Sequence, residues 1–273
     1  MTDPAAVSVR VAVVQLTSTD DVAHNLAATR ALVAEAAGRG AALVALPENF
    51  AFLRCEGAPI PCAQGLDGEI ATALRELARA HRVRILGGTF PEAIPGDERV
   101  HNTSVLVSPE GGIEAVYRKI HLFDVDLGPG GRYAESARIA PGRDVVVAET
   151  PIGAIGLSVC YDVRFPELYR AMAARGAQWL AVPSAFTPQT GKDHWEVLLR
   201  ARAIENQAFV LAPAQCGRHS PERASHGRSL VVDPWGLVLA QAGDRPAVIT
   251  ADCDLDELAA VRRRLPALEH RRL

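Results

Sequence analysis

Three residues that could carry out chemistry each follow a predicted strand: Glu48, Lys119 and Cys160, in that order along the chain. Cys160 comes directly after the apolar segment 155–159, at a predicted corner between a strand and a helix, where α/β hydrolases present their nucleophiles. A nucleophilic thiol needs a base and an electropositive neighbour. The glutamate and the lysine would meet both needs, so the combination predicts attack on an electrophilic carbon.

Each of these residues also has an ordinary structural explanation when it is taken alone. Free cysteines are commonly small buried apolar residues, and most glutamates and lysines are solvated. The segment around Cys160 is not G-x-S-x-G, although Ser158 lies two residues earlier on the same predicted strand face. The functional interpretation therefore depends on the three residues together.

Histidine and metal chemistry are less well supported by the sequence. His121, His194 and His226 could suggest a Cys-His hydrolase, but a lysine and a carboxylate already meet the needs of the thiol. The eight histidines are scattered, and none forms H-E-x-x-H or pairs with cysteine at ligand spacing. The five cysteines are odd in number and lack C-x-x-C spacing, which argues against a disulfide framework. We expect no metal and no cofactor.

Composition excludes several other classes of protein. The 273 residues are 48% hydrophobic and 22% charged with a net charge of −3, which predicts a folded core and no nucleic-acid partner. The basic residues at 262–264 and 271–272 are explained by a solvated helix face and a tail. The N-terminus lacks the features of a signal peptide, and no apolar run is long enough to span a membrane. We expect a cytoplasmic protein with no membrane partner.

Hydrophobic periodicity predicts an alternation of strands and helices. The predicted helices cover residues 20–37, 67–81, 166–175, 193–206 and 255–265. The predicted strands cover residues 7–16, 42–46, 83–90, 105–107, 115–117, 155–159, 179–182, 209–212, 230–232, 238–241 and 247–251. Turn signals at 109–112 and 233–236 predict hairpins. The pattern predicts an α/β protein with two sheets and outer helices, organised as a single domain over residues 1–273.

The local motifs around the three residues resemble those of one family. Residues 47–50 read Pro-Glu-Asn-Phe, residues 117–122 read Tyr-Arg-Lys-Ile-His-Leu, and residues 159–168 read Val-Cys-Tyr-Asp-Val-Arg-Phe-Pro-Glu-Leu. The chain resembles the nitrilase superfamily of carbon–nitrogen hydrolases from Val9 to about Arg272. A Glu-Lys-Cys triad in this order is the hallmark of that family. Segments 194–205, 214–219, 231–236, 265–266 and 270–272 are similar to its deaminated-glutathione amidase branch, which is close to the 2-oxo-acid ω-amidases.

The resemblance implies a fold, an assembly and a mechanism. The fold would be a four-layer α-β-β-α sandwich with two mixed sheets and outer helices, forming a homodimer. Cys160 would attack the amide carbon while Glu48 handles protons, and Lys119 with the backbone N–H of Tyr161 would face the oxyanion. A thioester would form, ammonia would leave, and water would release the acid. Glu135, in a stretch that carries no signal by itself, matches a second family carboxylate that orients the lysine.

Substrate binding is predicted less sharply. An arginine fork suits a carboxylate, so Arg164 could anchor a 2-oxo acid, or it could form a structural ion pair with Glu167 or Asp162. Phe186 and Thr187 could line the same pocket. The predicted partner is a small-molecule amide, namely deaminated glutathione or a related 2-oxo acid amide. An ω-amidase for 2-oxoglutaramate, an N-carbamoyl amidohydrolase and a nitrilase would use the same triad, whereas the intact triad argues against a non-catalytic scaffold.

Overall fold

The computed structural model describes residues 8–128 and 131–272. Helices and strands alternate along this part of the chain in the predicted order. The α-helices are α1 Val22–Gly38, α2 Glu69–His81, α3 Pro166–Ala174, α4 Pro188–Asn206 and α5 Leu255–Arg264. The strands are β1 Ser8–Gln15, β2 Leu43–Ala45, β3 Arg84–Leu86, β4 Phe90–Ala93, β5 Val100–Val107, β6 Ile113–Arg118, β7 Asp124–Asp126, β8 Arg132–Ala134, β9 Val146–Ala148, β10 Ile155–Leu157, β11 Trp179–Ala181, β12 Phe209–Ala212, β13 Cys216–Arg218, β14 Ala224–His226, β15 Leu230–Val232, β16 Val238–Gln241 and β17 Ala247–Asp254.

These strands form two large mixed sheets. In the first sheet β1, β2 and β3 are parallel, β17 pairs antiparallel with β1, and β5 pairs antiparallel with β3, β4 and β6. In the second sheet β10, β11 and β12 are parallel, and β9, β15 and β16 are antiparallel to their neighbours. The β5–β6 and β15–β16 hairpins are those that the turn signals predict. Because β17 returns to pair with β1, the last strand of the chain forms one edge of the first sheet.

Both faces of the central strands are buried, which is why their sequences are almost continuously apolar. In β1, Val11 packs in one cluster with Leu157 of the second sheet, whereas Val14 packs in another with Leu26 of α1. Leu199 of α4 joins the first of these clusters. Alternate side chains of a strand point to opposite faces, so the sheets face each other and the helices cover the outside. This is the predicted α-β-β-α sandwich.

The strand predicted over residues 83–90 is in fact two strands, β3 and β4. The chain breaks at Gly88, which has a φ of 48°. A Cβ placed there would lie 2.1 Å from the carbonyl oxygen of Pro47, so a side chain at this position would collide with backbone. The break allows the loop after β2, which carries Glu48, to pass close to the end of β3.

Helix α4 begins five residues earlier than Asp193, where the periodicity predicts its start. Thr187 caps the helix by accepting the N–H of Thr190, and Pro188 occupies the first helical position, where its missing N–H costs little. Five short strands were not predicted as strands, namely β7, β8, β9, β13 and β14, because segments of three residues give no clear periodicity. Within the described residues, no helix is both long and apolar enough to cross a membrane.

Gln215 ties the two sheets together at one edge. Its side-chain amide donates to Ser18 Oγ at 2.7 Å and to the carbonyl oxygen of Glu48 at 3.0 Å. Its side-chain oxygen accepts the N–H of Ser18 at 2.9 Å. Ser18 follows β1, Glu48 follows β2, and Gln215 lies between β12 and β13, so one buried side chain fixes the relative position of three loops.

Replacement of Gln215 with methionine should destabilise the protein by about 2–5 kcal/mol. Methionine keeps the volume but leaves buried polar groups of Ser18 and Glu48 without partners, at about 1–3 kcal/mol for each group. Urea unfolding at equilibrium measures the difference. Gln189→Met, on the exposed start of α4, is the matched control and should stay within about 0.5 kcal/mol of the wild type. An equal effect of the two variants would contradict the role given to Gln215.

Candidate active site

Glu48 lies three residues beyond the end of β2 and is almost completely buried, with 3% exposure. Its carboxylate accepts three hydrogen bonds. Oε1 accepts from Lys119 Nζ at 3.0 Å and from Asn102 Nδ2 at 2.9 Å, and Oε2 accepts from the backbone N–H of Ala185 at 2.9 Å. Since Ala185 follows β11 in the second sheet, this glutamate is held by groups from both sheets.

Lys119 follows directly on β6, and its ammonium group is buried between two carboxylates. Nζ donates to Glu48 and to both oxygens of Glu135, at 2.9 and 3.0 Å. Burial alone would lower the pKa of Lys119, but the charges of Glu135 and Glu48 outweigh it and hold this pKa well above its ordinary value. The lysine is therefore a fixed positive charge.

Glu135 begins a single 3₁₀ turn after β8 and is the most exposed member of this group, with 17% side-chain exposure. Besides Lys119, it accepts the backbone N–H of Phe123 at 2.7 Å. The β7–β8 hairpin, which was not predicted, thus brings this carboxylate to the lysine. Glu135 therefore lies in direct contact with Lys119.

Asn102 is a member of the cluster that sequence reasoning missed. It lies in β5, donates to Glu48 at 2.9 Å and, more weakly, to Glu135 at 3.4 Å, and its backbone carbonyl accepts the N–H of Lys119 at 3.0 Å. One residue thus contacts both carboxylates and the backbone of Lys119. The only sign in the sequence was an amide side chain in the polar first half of the strand 100–107, and an amide in such a position is weak evidence for a functional role.

Cys160 lies at the corner between β10 and α3. It opens a 3₁₀ turn over Cys160–Arg164 with a φ of 50°, a conformation that is uncommon for a residue with a side chain. Its N–H donates to the carbonyl of Pro183 at 2.9 Å. Burial, followed by the charge of Glu48, raises the pKa of the Cys160 thiol well above its ordinary value, against the opposing effect of Lys119. The resting thiol is therefore protonated at neutral pH.

Asp162 fixes the turn that presents Cys160. This fully buried carboxylate accepts the hydroxyl of Tyr117 at 2.6 Å, the N–H of Val159 at 2.8 Å and the N–H of His121 at 3.0 Å. The ring Nδ1 of His121 lies 2.7 Å from the same carboxylate. Since Val159 immediately precedes the cysteine, these bonds connect the turn to β6 and to the segment that follows Lys119. His121 is therefore part of this support and does not contact the thiol.

One pocket joins all of the predicted site residues. It encloses about 860 Å³ of non-atom space, part of which is open to solvent. Eight predicted residues line it: Glu48, Lys119, Glu135, Cys160, Tyr161, Arg164, Phe186 and Thr187. Sequence reasoning missed others that also line it, among them Asn102, Phe123, Tyr133, Arg54 and Arg223.

Arg164 faces this pocket and does not form either of the ion pairs considered from the sequence. Within the described residues it has no salt bridge to Asp162 or Glu167. Its Nη1 lies 3.2 Å from Nδ1 of His194, and its guanidinium lies 5.4 Å from the ring centre of Phe186. An arginine supported by a ring and lacking a carboxylate partner can bind an anion that enters the pocket.

The described residues contain no group of three or more histidine, cysteine or carboxylate side chains arranged to hold a metal ion. All five cysteines are free. The chemistry that the pocket supports is accordingly that of a thiol, two carboxylates and an ammonium group. Cysteine nucleophiles with such neighbours transfer acyl groups through covalent intermediates.

Comparison with known proteins agrees with this assignment of chemistry. Residues 10–263 match the family model described as carbon–nitrogen hydrolase. The chain belongs to the carbon–nitrogen hydrolase family. It is accordingly an enzyme that acts on amides, since its relatives are named as amidases.

This carbon–nitrogen hydrolase has well-matched curated relatives. It is 44% identical over 263 residues to the deaminated glutathione amidase of Synechocystis sp. (strain PCC 6803 / GT-S), covering 95% of this chain and 97% of that protein. It is 45% identical over 267 residues to the deaminated glutathione amidase of Homo sapiens, covering 96% of this chain and 82% of that one. Among solved structures, Nit3 of Saccharomyces cerevisiae, a member of branch 10 of the nitrilase superfamily, superimposes with a TM-score of 0.86 at 30% identity, covering 97% of each chain.

Alkylation of Cys160 in this hydrolase by iodoacetamide should be slow at neutral pH and should accelerate as the pH rises through the raised pKa of its thiol. The thiolate is the reactive form. Glu48→Gln removes one of the causes that raise this pKa, so the pH profile of alkylation should move to lower pH. Mass spectrometry of quenched samples measures the rate at each cysteine.

Cys62 provides an internal reference in the same experiment. Burial raises the pKa of its thiol to about 11, and no charge of the catalytic cluster contributes. Its profile should be the same in the wild type and in Glu48→Gln. A Cys160 profile that is also unchanged would show that Glu48 does not act on the thiol.

Proposed function

We propose that this protein is a cysteine-dependent amidase in which Cys160 is the nucleophile and Glu48, Lys119 and Glu135 complete the catalytic group. The observation that carries the proposal is the buried ammonium of Lys119, which contacts both carboxylates in the pocket onto which Cys160 opens. Buried charges are costly unless they are paired, and ionisable groups with shifted pKa values that converge in a pocket are typical of functional sites.

Glu48 serves as the base because of the charge balance in the pocket. Two carboxylates and one ammonium already give the cluster a net charge of −1, and a free thiolate would add a second negative charge. Burial, and after it the charge of Glu48, raise the pKa of Cys160 and so disfavour the free thiolate. Transfer of the thiol proton to Glu48 as the Sγ–C bond forms avoids it, since the carboxylate becomes neutral while the negative charge moves to the substrate oxygen.

Lys119 stabilises charge and does not transfer protons. Its raised pKa keeps it an ammonium group at neutral pH. Glu135 positions it, and the ammonium and the backbone N–H of Tyr161 face the oxyanion. A preorganised donor of this kind lowers a barrier by roughly 3–4 kcal/mol.

The cycle then proceeds through two acyl transfers. Collapse of the first tetrahedral intermediate breaks the C–N bond, and protonated Glu48 gives its proton to the departing amine. A thioester remains on Cys160. Glu48 next takes a proton from water, the hydroxide attacks the thioester carbon, and the thiol leaves with that proton as the acid is released.

Deaminated glutathione is the proposed substrate, because both curated relatives described above carry its name. Its acyl part is a 2-oxo acid, whose carboxylate Arg164 would bind, with Phe186 and Thr187 beside it. The leaving group is then the amine of cysteinylglycine. Ammonia leaves only when the substrate is a primary amide such as 2-oxoglutaramate.

We also propose that residues 1–273 form one hydrolase domain and that two copies associate. Large apolar side chains are exposed on α4 and on the β15–β16 hairpin: Val197, Ile204, Trp235, Leu237 and Leu239. The two elements adjoin, because Arg200 of α4 donates to the carbonyl of Gly236 at 2.8 Å. An apolar face of this kind is typical of an interface between subunits.

Cys160→Ala should lower the rate of deaminated glutathione hydrolysis by at least about 10⁴-fold, because no thioester can form. Glu48→Gln should lower it by about 10²–10⁴-fold, because the thiol and the water lose their base. Release of 2-oxoglutarate measures both rates. Cys253→Ala, at a buried cysteine outside the pocket, is the matched control and should keep normal activity.

The choice of amide separates the related activities. Turnover of 2-oxoglutaramate alone would assign the enzyme to the ω-amidases and leave the nucleophile in place. If neither amide reacts, the substrate proposal fails and carbamoyl compounds and nitriles become the next candidates. Full activity of Cys160→Ala on either amide would refute the proposed mechanism.

Trp235→Asp should convert the dimer to a monomer, because it places a charge in the apolar face. Light scattering coupled to size-exclusion chromatography measures the mass of each variant. Ala27→Asp, on the exposed side of α1, introduces the same charge elsewhere and should leave the dimer intact. A wild-type mass of one chain would contradict the proposed assembly.

A further inference from the structure

The pocket contains a second group of charged residues that the proposed mechanism does not use. Arg54 lies in the loop between β2 and α2, and Arg223 lies in the turn between β13 and β14. Glu56 lies beside them, and all three line the same pocket as Cys160. Two arginines on separate loops therefore converge on the space in which a substrate would lie.

The guanidinium of Arg54 is half-buried, and most of its hydrogen-bond donors are unused. Its one hydrogen bond within the described residues runs from Nη1 to the adjacent carbonyl of Cys55, at 3.0 Å, and it forms no ion pair there. Burial lowers its pKa, and the charges of Arg223 and Arg138 add to this, against the opposing charges of Glu56 and Glu135. An arginine stays charged under these conditions, so Arg54 carries a positive charge that no ion pair within the described residues neutralises.

Arg223 is only partly neutralised. Its Nη1 donates to the carbonyl of Arg54 at 2.6 Å, which fixes the two loops relative to each other. Its ion pair with Glu56 is long, at 3.8 Å. Arg54, Arg223 and Glu56 together carry a net charge of +1, and Glu135 is the other carboxylate whose charge acts on Arg54. Two guanidinium groups with free donors match the geometry of a carboxylate.

This site is separate from Arg164. Arg164 contacts His194, Phe186 and Tyr161, and within the described residues it shares no hydrogen-bond or ion-pair partner with Arg54 or Arg223. The pocket therefore offers two cationic positions to one ligand. A substrate that uses both must carry two anionic groups.

We infer that Arg54 and Arg223 form a subsite for a carboxylate on the leaving-group side of the substrate. The inference rests on the proposed function. It restricts the preferred substrates to amides that are anionic at both ends, with one carboxylate in the acyl part and one in the amine part. A dipeptide leaving group places its terminal carboxylate up to about 7 Å from the amide nitrogen, since each residue spans at most about 3.6 Å.

The test compares three amides that share the acyl part: deaminated glutathione, the same compound with its terminal carboxylate converted to a carboxamide, and 2-oxoglutaramate. All release 2-oxoglutarate, so one assay serves. In the wild type, kcat/KM should fall by about 10- to 100-fold from the acid to the carboxamide. Arg54→Gln should show the same loss on the acid and no further loss on the carboxamide. Arg164→Gln should impair all three, because each carries the 2-oxo acid.

Arg138→Gln is the matched control. Arg138 is exposed, its charge acts on Arg54, and it does not line the pocket. This variant should keep the wild-type ratio of kcat/KM between the acid and the carboxamide. Such a result would show that the loss in Arg54→Gln comes from direct contact with the carboxylate and not from a change in long-range charge. Equal turnover of the two compounds by the wild type would overturn the subsite. So would an Arg54→Gln variant that keeps the wild-type ratio.

Binding tests the subsite independently of turnover. In a Cys160→Ala background, calorimetry should show that Arg54→Gln raises the Kd for deaminated glutathione by about 10- to 100-fold. Arg54→Lys should raise the Kd by less. An unchanged Kd would overturn the inference. If the wild type hydrolyses none of the three amides, the proposed function fails while this measurement still decides whether the subsite exists.

Discussion

The buried ammonium of Lys119 is the interaction on which the rest of the site depends. Burying a single unpaired charge costs several kcal/mol. The ammonium of Lys119 is tolerated in the interior because its ion pairs with Glu48 and Glu135 offset the loss of its water. The same pairing fixes the positions of Glu48 and Glu135, which come from loops far apart in the sequence. Loss of the ammonium would leave two buried carboxylates without a counter-charge, and loss of either carboxylate would remove one of the groups that hold the lysine in place. Stability and catalysis in this pocket are therefore coupled.

The two sheets supply this cluster from opposite sides. Glu48, Asn102 and Lys119 follow or belong to strands of the first sheet, whereas Cys160 and the N–H of Ala185 belong to the second. The turn that presents Cys160 is held on its own side by the carbonyl of Pro183 and across the layers by the bonds of Asp162 to Tyr117 and His121. A sandwich with both sheets in register is thus a condition for the chemistry, and one sheet could not hold the reacting groups by itself.

The sequence predicted the elements that have long periodic patterns, and it predicted the residues that follow them. Glu48, Lys119 and Cys160 come at the ends of apolar strands, which the pattern shows directly. Glu135 and Asn102 were harder for opposite reasons. Glu135 follows a strand of three residues, which is too short to show a periodicity. Asn102 lies within a strand, and its contacts with Glu48 and Lys119 arise only from the pairing of β5 with β6 and from the path of the loop after β2. The early start of α4 was predictable, because Thr187 followed by Pro188 is a typical helix N-terminus. The convergence of Arg54 and Arg223 was not, because it depends on two loops whose paths are set by tertiary packing.

The protonated resting state of Cys160 also bears on how this protein meets reactive small molecules. Peroxides oxidise thiolates, and thiols with a low pKa are the ones that act as redox sensors. A neutral thiol held behind two carboxylates presents little of the oxidisable form to an anionic or neutral oxidant. In the proposed mechanism, only a compound that enters the pocket and lets Glu48 accept the proton meets the activated sulfur. That mechanism would therefore protect Cys160 between turnovers and confine its reactivity to molecules that fit the pocket.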